Sequence, residues 1–386
     1  MAEGIFYAGV NDKELDLFEG QYRVPAGISY NSWVILDEKV AVTDTADVRK
    51  GAEYMAALEQ ALQGREPDYL IISHVEPDHA SSLKLFLDRY PGVCLVGNAK
   101  TWAQLGYYFD LSQVQTLTVK EGDKLTLGKH ELTFIMAPMV HWPEVMMYYE
   151  SATRTLFSAD GFGTFGALTG EKPTPESWDG EARRYYFNIV GKYGVQVTAV
   201  LKKAAALDIA RIHPLHGPVL EGDMLAHAIR RYTTWASYAP EAPEAVLVAY
   251  ASIYGNTAGA AREMAEMLKA RGAEVIVTDL AREDQSAALA QAFRCGKIVL
   301  AASTMDGGVM PFMADFLHHL KIKTFQKRTV ALMENGSWAP MAAKVMRASL
   351  EEMKDIAIVE PVTTIRGAVK DVNRAQMAAA VEAILG

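Results

Sequence analysis

The run His74-Val75-Glu76-Pro77-Asp78-His79 places two imidazoles and two carboxylates within six positions. Packing does not account for that density, and side chains of these types in close sequence are the donors of metal sites. The flanking stretches are apolar. "DYLIIS" leads in as a buried strand and "LKLFL" leads out. A loop that leaves a strand and opens toward a helix presents its side chains at a sheet edge in a fixed geometry. His74 and Glu76 are two apart, so an extended segment points both the same way. Asp78 and His79 are adjacent and diverge, which suits a second centre. Downstream, His141 ends the strand-like "FIMAPMVH", Asp160 ends "TLFSAD", and His216 follows "IARIHPLHG". These seven ligand-type residues exceed what one mononuclear site needs. His213, standing alone, reads as a structural histidine.

A second stretch, "SIYGNTAG" from Ser252 to Gly259, lies between a strand and a helix. Hydroxyls and amide N–H groups at a helix N-terminus hold anions. The loop has no GxGxxG and no Walker lysine, so it suits a monophosphate better than a triphosphate. The alternative is an ordinary helix capped by Asn256 or Thr257. Two later loops, "ASTMDGGVMP" (302–311) and "ENGSWAP" (334–340), follow the third and fourth strands of the same region. In a sheet of order 2-1-3-4-5 these loops converge on the crevice at the switch point. Ser252, Tyr254, Gly255, Asn256, Thr257, Ser303, Thr304, Met305, Asp306, Gly307, Asn335, Gly336, Ser337 and Trp338 are the candidate contacts.

The elements that must position these loops fall into two groups. At roughly 150 residues per domain, 386 residues suggest two or three domains. The segment "YAPEAPEA", Tyr238–Ala245, reads as a linker, giving domains at 1–240 and 245–386. After it, five strands alternate with five helices, the pattern of a doubly wound parallel sheet. Before it, strands and helices alternate less regularly. Two strands join at Asp37-Glu38, a helix spans 48–63, short strands crowd 114–158, and helices return at 182–206 and 222–237. That order suggests an αβ/βα sandwich. The fold class is therefore α/β in both parts.

The formal net charge of -9 argues against broad nucleic-acid binding. No stretch approaches the ~20 apolar residues of a membrane span, and the N-terminus lacks a signal pattern. A cytoplasmic location is expected. Cys94 and Cys295 form no CxxC pair, which excludes a cysteine-ligated zinc or rubredoxin-type iron site. Cys94, in "VCLV", reads as a buried small hydrophobe.

HxHxDH with downstream His, Asp and His is the metal signature of the metallo-β-lactamase superfamily, and the HxExDH form here resembles that of the flavodiiron proteins. Sixty-one residues separate His79 from His141, 18 separate His141 from Asp160, and 55 separate Asp160 from His216. "MVHWPEVMM", "SADGFGTFGAL" and "GISYNSW" are also similar to segments of that family, and "SIYGNTAG" resembles the flavodoxin phosphate loop. The resemblance implies an N-terminal metallo-β-lactamase-like domain and a C-terminal flavodoxin-like domain that binds FMN. It implies that His74, Glu76 and His141 hold one non-haem iron and that Asp78, His79 and His216 hold a second, with Asp160 bridging. A carboxylate in place of an imidazole makes the site harder and more negative, which suits iron over zinc. Tyr186, in "RRYYFNIV", resembles a tyrosine placed to hydrogen-bond substrate, with Tyr185 as the alternative.

The implied activity is reduction of O2 to water, of NO to N2O, or both. Reduced flavin and a ferrous pair together store the electrons that O2 requires. The donor is expected to be a separate rubredoxin-like protein or a reduced deazaflavin. A head-to-tail homodimer, or a dimer of such dimers, would face each flavin to the partner's metal site, with Trp142 and Glu144 as candidate contacts. Two other readings stand beside this one: a zinc hydrolase fused to a flavodoxin-like module, and an electron carrier with a vestigial metal site.

Overall fold

The structure, a computed structural model, describes residues 3–386. The chain forms two compact units, Met1–Thr233 and Thr234–Gly386. In the first, two six-stranded sheets face one another. One runs in the order Ile5–Tyr7, Trp33–Leu36, Val40–Thr43, Tyr69–Ile71, Cys94–Gly97, Gln115–Thr118. The other runs Lys124–Thr126, Glu131–Met136, Met146–Glu150, Thr155–Phe157, Arg211–His213, Leu220–Glu221. Trp33, Ile35, Ile71 and Val96 from the first sheet and Leu132, Phe134, Tyr148 and Phe157 from the second share one buried core. Cutting Phe134 to Ala there would cost about 3–5 kcal/mol.

Val40–Thr43 is buried at every position, as a strand covered on both faces must be, and it pairs in parallel with Tyr69–Ile71. The helix Gly51–Leu62 buries Tyr54, Leu58, Ala61 and Leu62, a stripe at three- and four-residue spacing. It stops at Gln63, which takes a left-handed φ of 51°. The two strands at the head of the fold turn at Asp37-Glu38 as expected. The single expected helix over 48–63 begins with a 3-10 turn, Val48–Lys50, capped by Asp47. The helix expected over 182–206 is divided. Pro175–Tyr185 is α-helical, Tyr186–Val190 widens into a π-turn, and Gly194–Ala204 resumes the α-helix.

In the second unit the sheet order is Val275–Asp279, Ala242–Ala251, Cys295–Met305, Arg328–Asn335, Ile356–Ile358, which is 2-1-3-4-5. The pairs between these strands are parallel. A further short strand, Thr363–Ile365, extends the fifth position alongside Arg328–Asn335. Helix Asn256–Ala270 packs Ala260, Met264 and Leu268 onto Val246 and Val248, with Met377, Val381 and Ile384 of the last helix beside them.

The segment Tyr238–Ala245 is not a linker. Ala242 already opens the first strand of the second unit and pairs with Cys295. Tyr238 is buried, and its carbonyl accepts a hydrogen bond from Arg328 Nη1 at 2.8 Å. Its prolines and alanines look flexible in sequence, but the aromatic ring and the buried guanidinium hold the segment down. Cys94 is only partly buried; Cys295 is the buried cysteine. No helix among the described residues is long and apolar enough to cross a membrane.

Candidate functional site

The strand Tyr69–Ile71 ends in a loop whose first turn of helix is Pro77–Ala80. Pro77 at the first helical position starts that turn with its φ already set. The turn brings Asp78 and His79 away from His74 and Glu76, so the six-residue run serves two places at once. His74, Glu76, His141 and Asp160 converge in one group, and Asp78, His79 and His216 in a second. In the first, Glu76 Oε2 lies 3.1 Å from His74 Nε2 and 3.0 Å from His141 Nε2. Asp160 Oδ2 lies 3.1 Å from His141 Nε2 and 3.6 Å from His74 Nε2. In the second, His216 Nε2 lies 3.2 Å from Asp78 Oδ2 and 3.0 Å from His79 Nε2. Asp160 Oδ1 turns to this group and stands 3.2 Å from His79 Nε2. One carboxylate thus spans both halves, and all seven expected metal-site residues meet here.

Behind these side chains sits a layer from distant strands. Asp44, at the end of Val40–Thr43, accepts hydrogen bonds from Ser73 N at 2.8 Å, Ser73 Oγ at 2.6 Å and His74 N at 3.2 Å. Thr45 Oγ1 donates to the His79 carbonyl at 2.6 Å. His216 Nδ1 donates to the Ser29 carbonyl at 2.7 Å. Glu144 Oε1 accepts from His74 Nδ1 at 2.8 Å and from Val75 N at 2.9 Å. Asp44 and Ser29 were not expected as supports; the one available signal was that Asp44 directly follows a strand, at the same end of the sheet from which the candidate metal-site loops leave. Glu144, a candidate contact for a partner's flavin, is buried against His74. Trp142 keeps partial exposure, with its ring 5.4 Å from that of His74.

At His74, Glu76, His141 and Asp160 burial opposes the charged form, and the neighbouring groups override it. For His74, Asp160 first and then Glu144 and Glu76 outweigh burial and hold the imidazolium pKa well above its ordinary value. For His141 burial is outweighed by hydrogen bonds to Asp160 and Glu76, and its pKa rises to about 9. Burial is likewise overcome at Asp160, where His74, His141 and His79 hold the carboxyl well below its usual range. The same happens at Glu76 through His141 and His74. A site that draws protons onto buried imidazoles this strongly calls for positive charge. Asp78 Oδ1 and Oδ2, Asp160 Oδ1 and His79 Nδ1 are buried without a hydrogen-bond partner among the described residues. Buried carboxylate oxygens whose close neighbours are imidazole nitrogens fit cations at both halves.

Of the two tyrosines, Tyr185 faces the cluster. Its ring lies 5.6 Å from that of His216. Its hydroxyl is buried without a hydrogen-bond partner, and its pKa is raised well above the ordinary value by burial and then by Asp160, Asp78 and Glu76. Tyr186, the expected residue, packs its ring 4.9 Å from Tyr232 and 5.0 Å from Phe187. Phe18, from the hairpin of Leu17–Phe18 and Tyr22–Arg23, stands 5.4 Å from the His216 ring and 5.6 Å from Phe165.

In the second unit a cavity of about 390 Å³ opens at the switch point. Ser252, Tyr254, Asn256, Thr257, Ser303, Thr304, Asp306, Gly307, Asn335, Gly336, Ser337 and Trp338 line it, as expected. Gly255 and Met305 do not. Gly255 takes φ 91° and supplies the turn into the helix, while Met305 pairs with Gly308 in a hairpin. The helix Asn256–Ala270 begins with no side-chain cap, so neither Asn256 nor Thr257 acts as one, and its first residues, Asn256 and Thr257, line the cavity. Thr257 Oγ1 and Ser303 Oγ lie 2.9 Å apart and tie two of the loops together. Thr304 Oγ1 accepts from Met341 N and Ala342 N at 2.9 and 3.2 Å, pinning the third. A fourth loop was not foreseen. Gly367 also lines the cavity and exchanges hydrogen bonds of 3.0 and 2.8 Å with the Asn335 side chain. Tyr254 is 94% exposed and Trp338 82% exposed. Two large rings left in water beside one cavity mark a surface that a flat ligand would cover.

Residues 28–217 match the ODP family beta lactamase, and residues 248–377 match flavodoxin. The chain is 29% identical over 342 residues to an anaerobic nitric oxide reductase flavorubredoxin from Aliivibrio salmonicida, covering 86% of this chain and 68% of that protein. It is 26% identical over 373 residues to a nitric oxide reductase from Moorella thermoacetica, covering 95% and 92%. Its fold is similar to that of rubredoxin oxygen:oxidoreductase from Desulfovibrio gigas, with a TM-score of 0.92 at 24% identity over 99% of this chain and 96% of that one.

Proposed function

We propose that this chain, an ODP family beta-lactamase domain followed by a flavodoxin domain, is a flavodiiron-type oxidoreductase that reduces O2 to water, NO to N2O, or both. The observation that carries this reading is Asp160, whose two oxygens face two separate, buried groups of ligand-type side chains. In it His74, Glu76 and His141 hold one non-haem iron, Asp78, His79 and His216 hold the other, and Asp160 bridges them. Ser252, Asn256, Thr257 and the first-turn N–H groups hold the FMN phosphate. The loops carrying Thr304, Asp306 and Gly307, and Asn335 to Trp338, hold its ring. When bound, the irons and the flavin supply the electrons, four for O2 to two waters or two for two NO to N2O and water.

The chain's own residues do the rest. Glu76 adds a hard, negative donor that favours iron. Tyr185 keeps its proton, because burial and the neighbouring carboxylates hold its pKa far above neutrality, and its buried hydroxyl is free to donate to a diatomic substrate. Phe18 and Phe165, both buried, keep bulk water from the His216 side. The immediate donor in this reading is a separate rubredoxin-like protein or reduced deazaflavin. The assembly is a head-to-tail homodimer in the cytoplasm, alone or paired into a tetramer.

Metal and flavin analysis of the purified protein, followed by anaerobic reduction and addition of O2 or NO, tests the reading. Two irons, one FMN and gas consumption are expected. Zinc without flavin would make it a hydrolase, and flavin without metal would make it a carrier.

A further inference from the structure

The two halves of the cluster are backed by different chemistry. His216 Nδ1 meets a neutral backbone carbonyl, that of Ser29, at 2.7 Å. His79 Nδ1 is buried with no hydrogen-bond partner among the described residues. His74 Nδ1 alone meets a carboxylate, Glu144 Oε1, at 2.8 Å. That oxygen also accepts from Val75 N at 2.9 Å, so the acceptor end of Glu144 is anchored by the backbone of the ligand loop itself. The far oxygen, Oε2, is buried and accepts no hydrogen bond. The Glu144 main chain is held too, because its carbonyl accepts from Asn98 Nδ2 at 2.5 Å. Among the described residues, His74 is the cationic partner that Glu144 meets.

We propose that Glu144 is a positioning residue that fixes His74 with its Nδ1 proton outward and its Nε2 lone pair toward Glu76 and Asp160, and that its charge makes the His74 half of the cluster the more electron-rich of the two. The inference rests on the reading that metals occupy the cluster. Two effects follow from one contact. Orientation comes from the hydrogen bond, which an uncharged acceptor also supplies. Ligand basicity comes from the carboxylate charge, which only Glu or Asp supplies. Through His74, a more basic imidazole stabilises the more oxidised metal, so the two irons differ in reduction potential, with the His74 iron the lower.

The variants Glu144→Gln and Glu144→Ala separate the two effects. Gln keeps an acceptor of the same length for His74 Nδ1 and Val75 N, and its amide nitrogen replaces the oxygen that has no partner. Iron titration of the metal-free chain and a spectroscopically monitored redox titration of the loaded chain are the measurements. E144Q is expected to keep two irons and to shift one midpoint potential upward, leaving the other unmoved. E144A is expected to lose one iron with about 10–100-fold weaker binding. A wild-type chain that binds no metal at either half overturns the reading beneath the inference. A wild type with two irons, beside an E144A chain of equal affinity or an E144Q chain with both potentials unchanged, overturns the role of Glu144 alone. If E144A does not fold, E144Q by itself decides, because its potentials move only if the charge matters.

Discussion

Asp160 Oδ1 stands 3.2 Å from His79 Nε2 while Oδ2 of the same carboxylate stands 3.1 Å from His141 Nε2. Asp160 is therefore the one residue common to both halves. Asp160→Ala should lower metal content at both, by more than the 10–100-fold typical of losing a supporting group. FMN content should not change, because the flavin loops belong to the other unit. Metal and flavin stoichiometry on the same sample check this. Two irons retained by the variant would mean the bridge is misassigned.

Glu76→His converts HxExDH into the HxHxDH of zinc hydrolases. Glu76 Oε2 lies between two imidazoles at 3.1 and 3.0 Å, so a third imidazole there removes the negative donor from that half. The expected outcome is a shift toward zinc on growth in mixed metals and loss of O2 and NO reduction. Unchanged iron loading and turnover would show that Glu76 does not tune the metal.

Tyr185→Phe removes a hydroxyl beside the cluster, whereas Tyr186→Phe removes that of a ring packed on Tyr232 and Phe187. Losing a donor to a charging oxygen atom is worth about 1.5–3 kcal/mol, so kcat should fall roughly 10–100-fold for Y185F. Y186F should stay within about twofold. Equal effects, measured with saturating donor, would refute the assignment.

His213 is buried against Trp33, its ring 4.7 Å away, and burial lowers its pKa to about 3. The unfolded chain takes up its proton near pH 6.5 and the native one does not. Its neutral form therefore supports full stability above pH 6.5, and that support is lost as pH falls from 6.5 to about 3, at about 1.4 kcal/mol per pH unit. His213→Phe should remove this dependence. Denaturant unfolding of both proteins at pH 7, 6, 5 and 4 should show the variant gaining on the wild type as pH falls; a constant difference would exclude His213 as the cause.

Asn256→Asp with Thr257→Asp places two carboxylates at an uncapped helix start where a phosphate is proposed to sit. FMN affinity should drop at least tenfold, on the order of 1.4 kcal/mol, with iron retained. Mixed with D160A under subunit exchange, this chain should restore activity, since a head-to-tail pair joins one chain's flavin to the other's irons. Proven exchange without recovery would rule out the trans arrangement.

The seven candidate metal-site positions were legible because each lies in the loop or first helical turn that follows a strand, and where a strand gives way to a turn is a local property of the apolar run. The 2-1-3-4-5 sheet and its switch-point cavity followed from regular alternation for the same reason. Only the tertiary structure decided what stands behind the ligands. Asp44, Ser29 and Glu144 lie in other strands and loops, and side-chain contacts between segments tens of residues apart leave no spacing to read. That Tyr185, rather than Tyr186, packs against His216 was also out of reach. The π-turn Tyr186–Val190 shifts the face that follows Tyr185 away from the 3.6-residue period on which any reading of helix faces depends. Tyr238–Ala245 shows the same limit. Its composition is that of a linker, and a buried ring and one guanidinium hydrogen bond make it part of a packed unit.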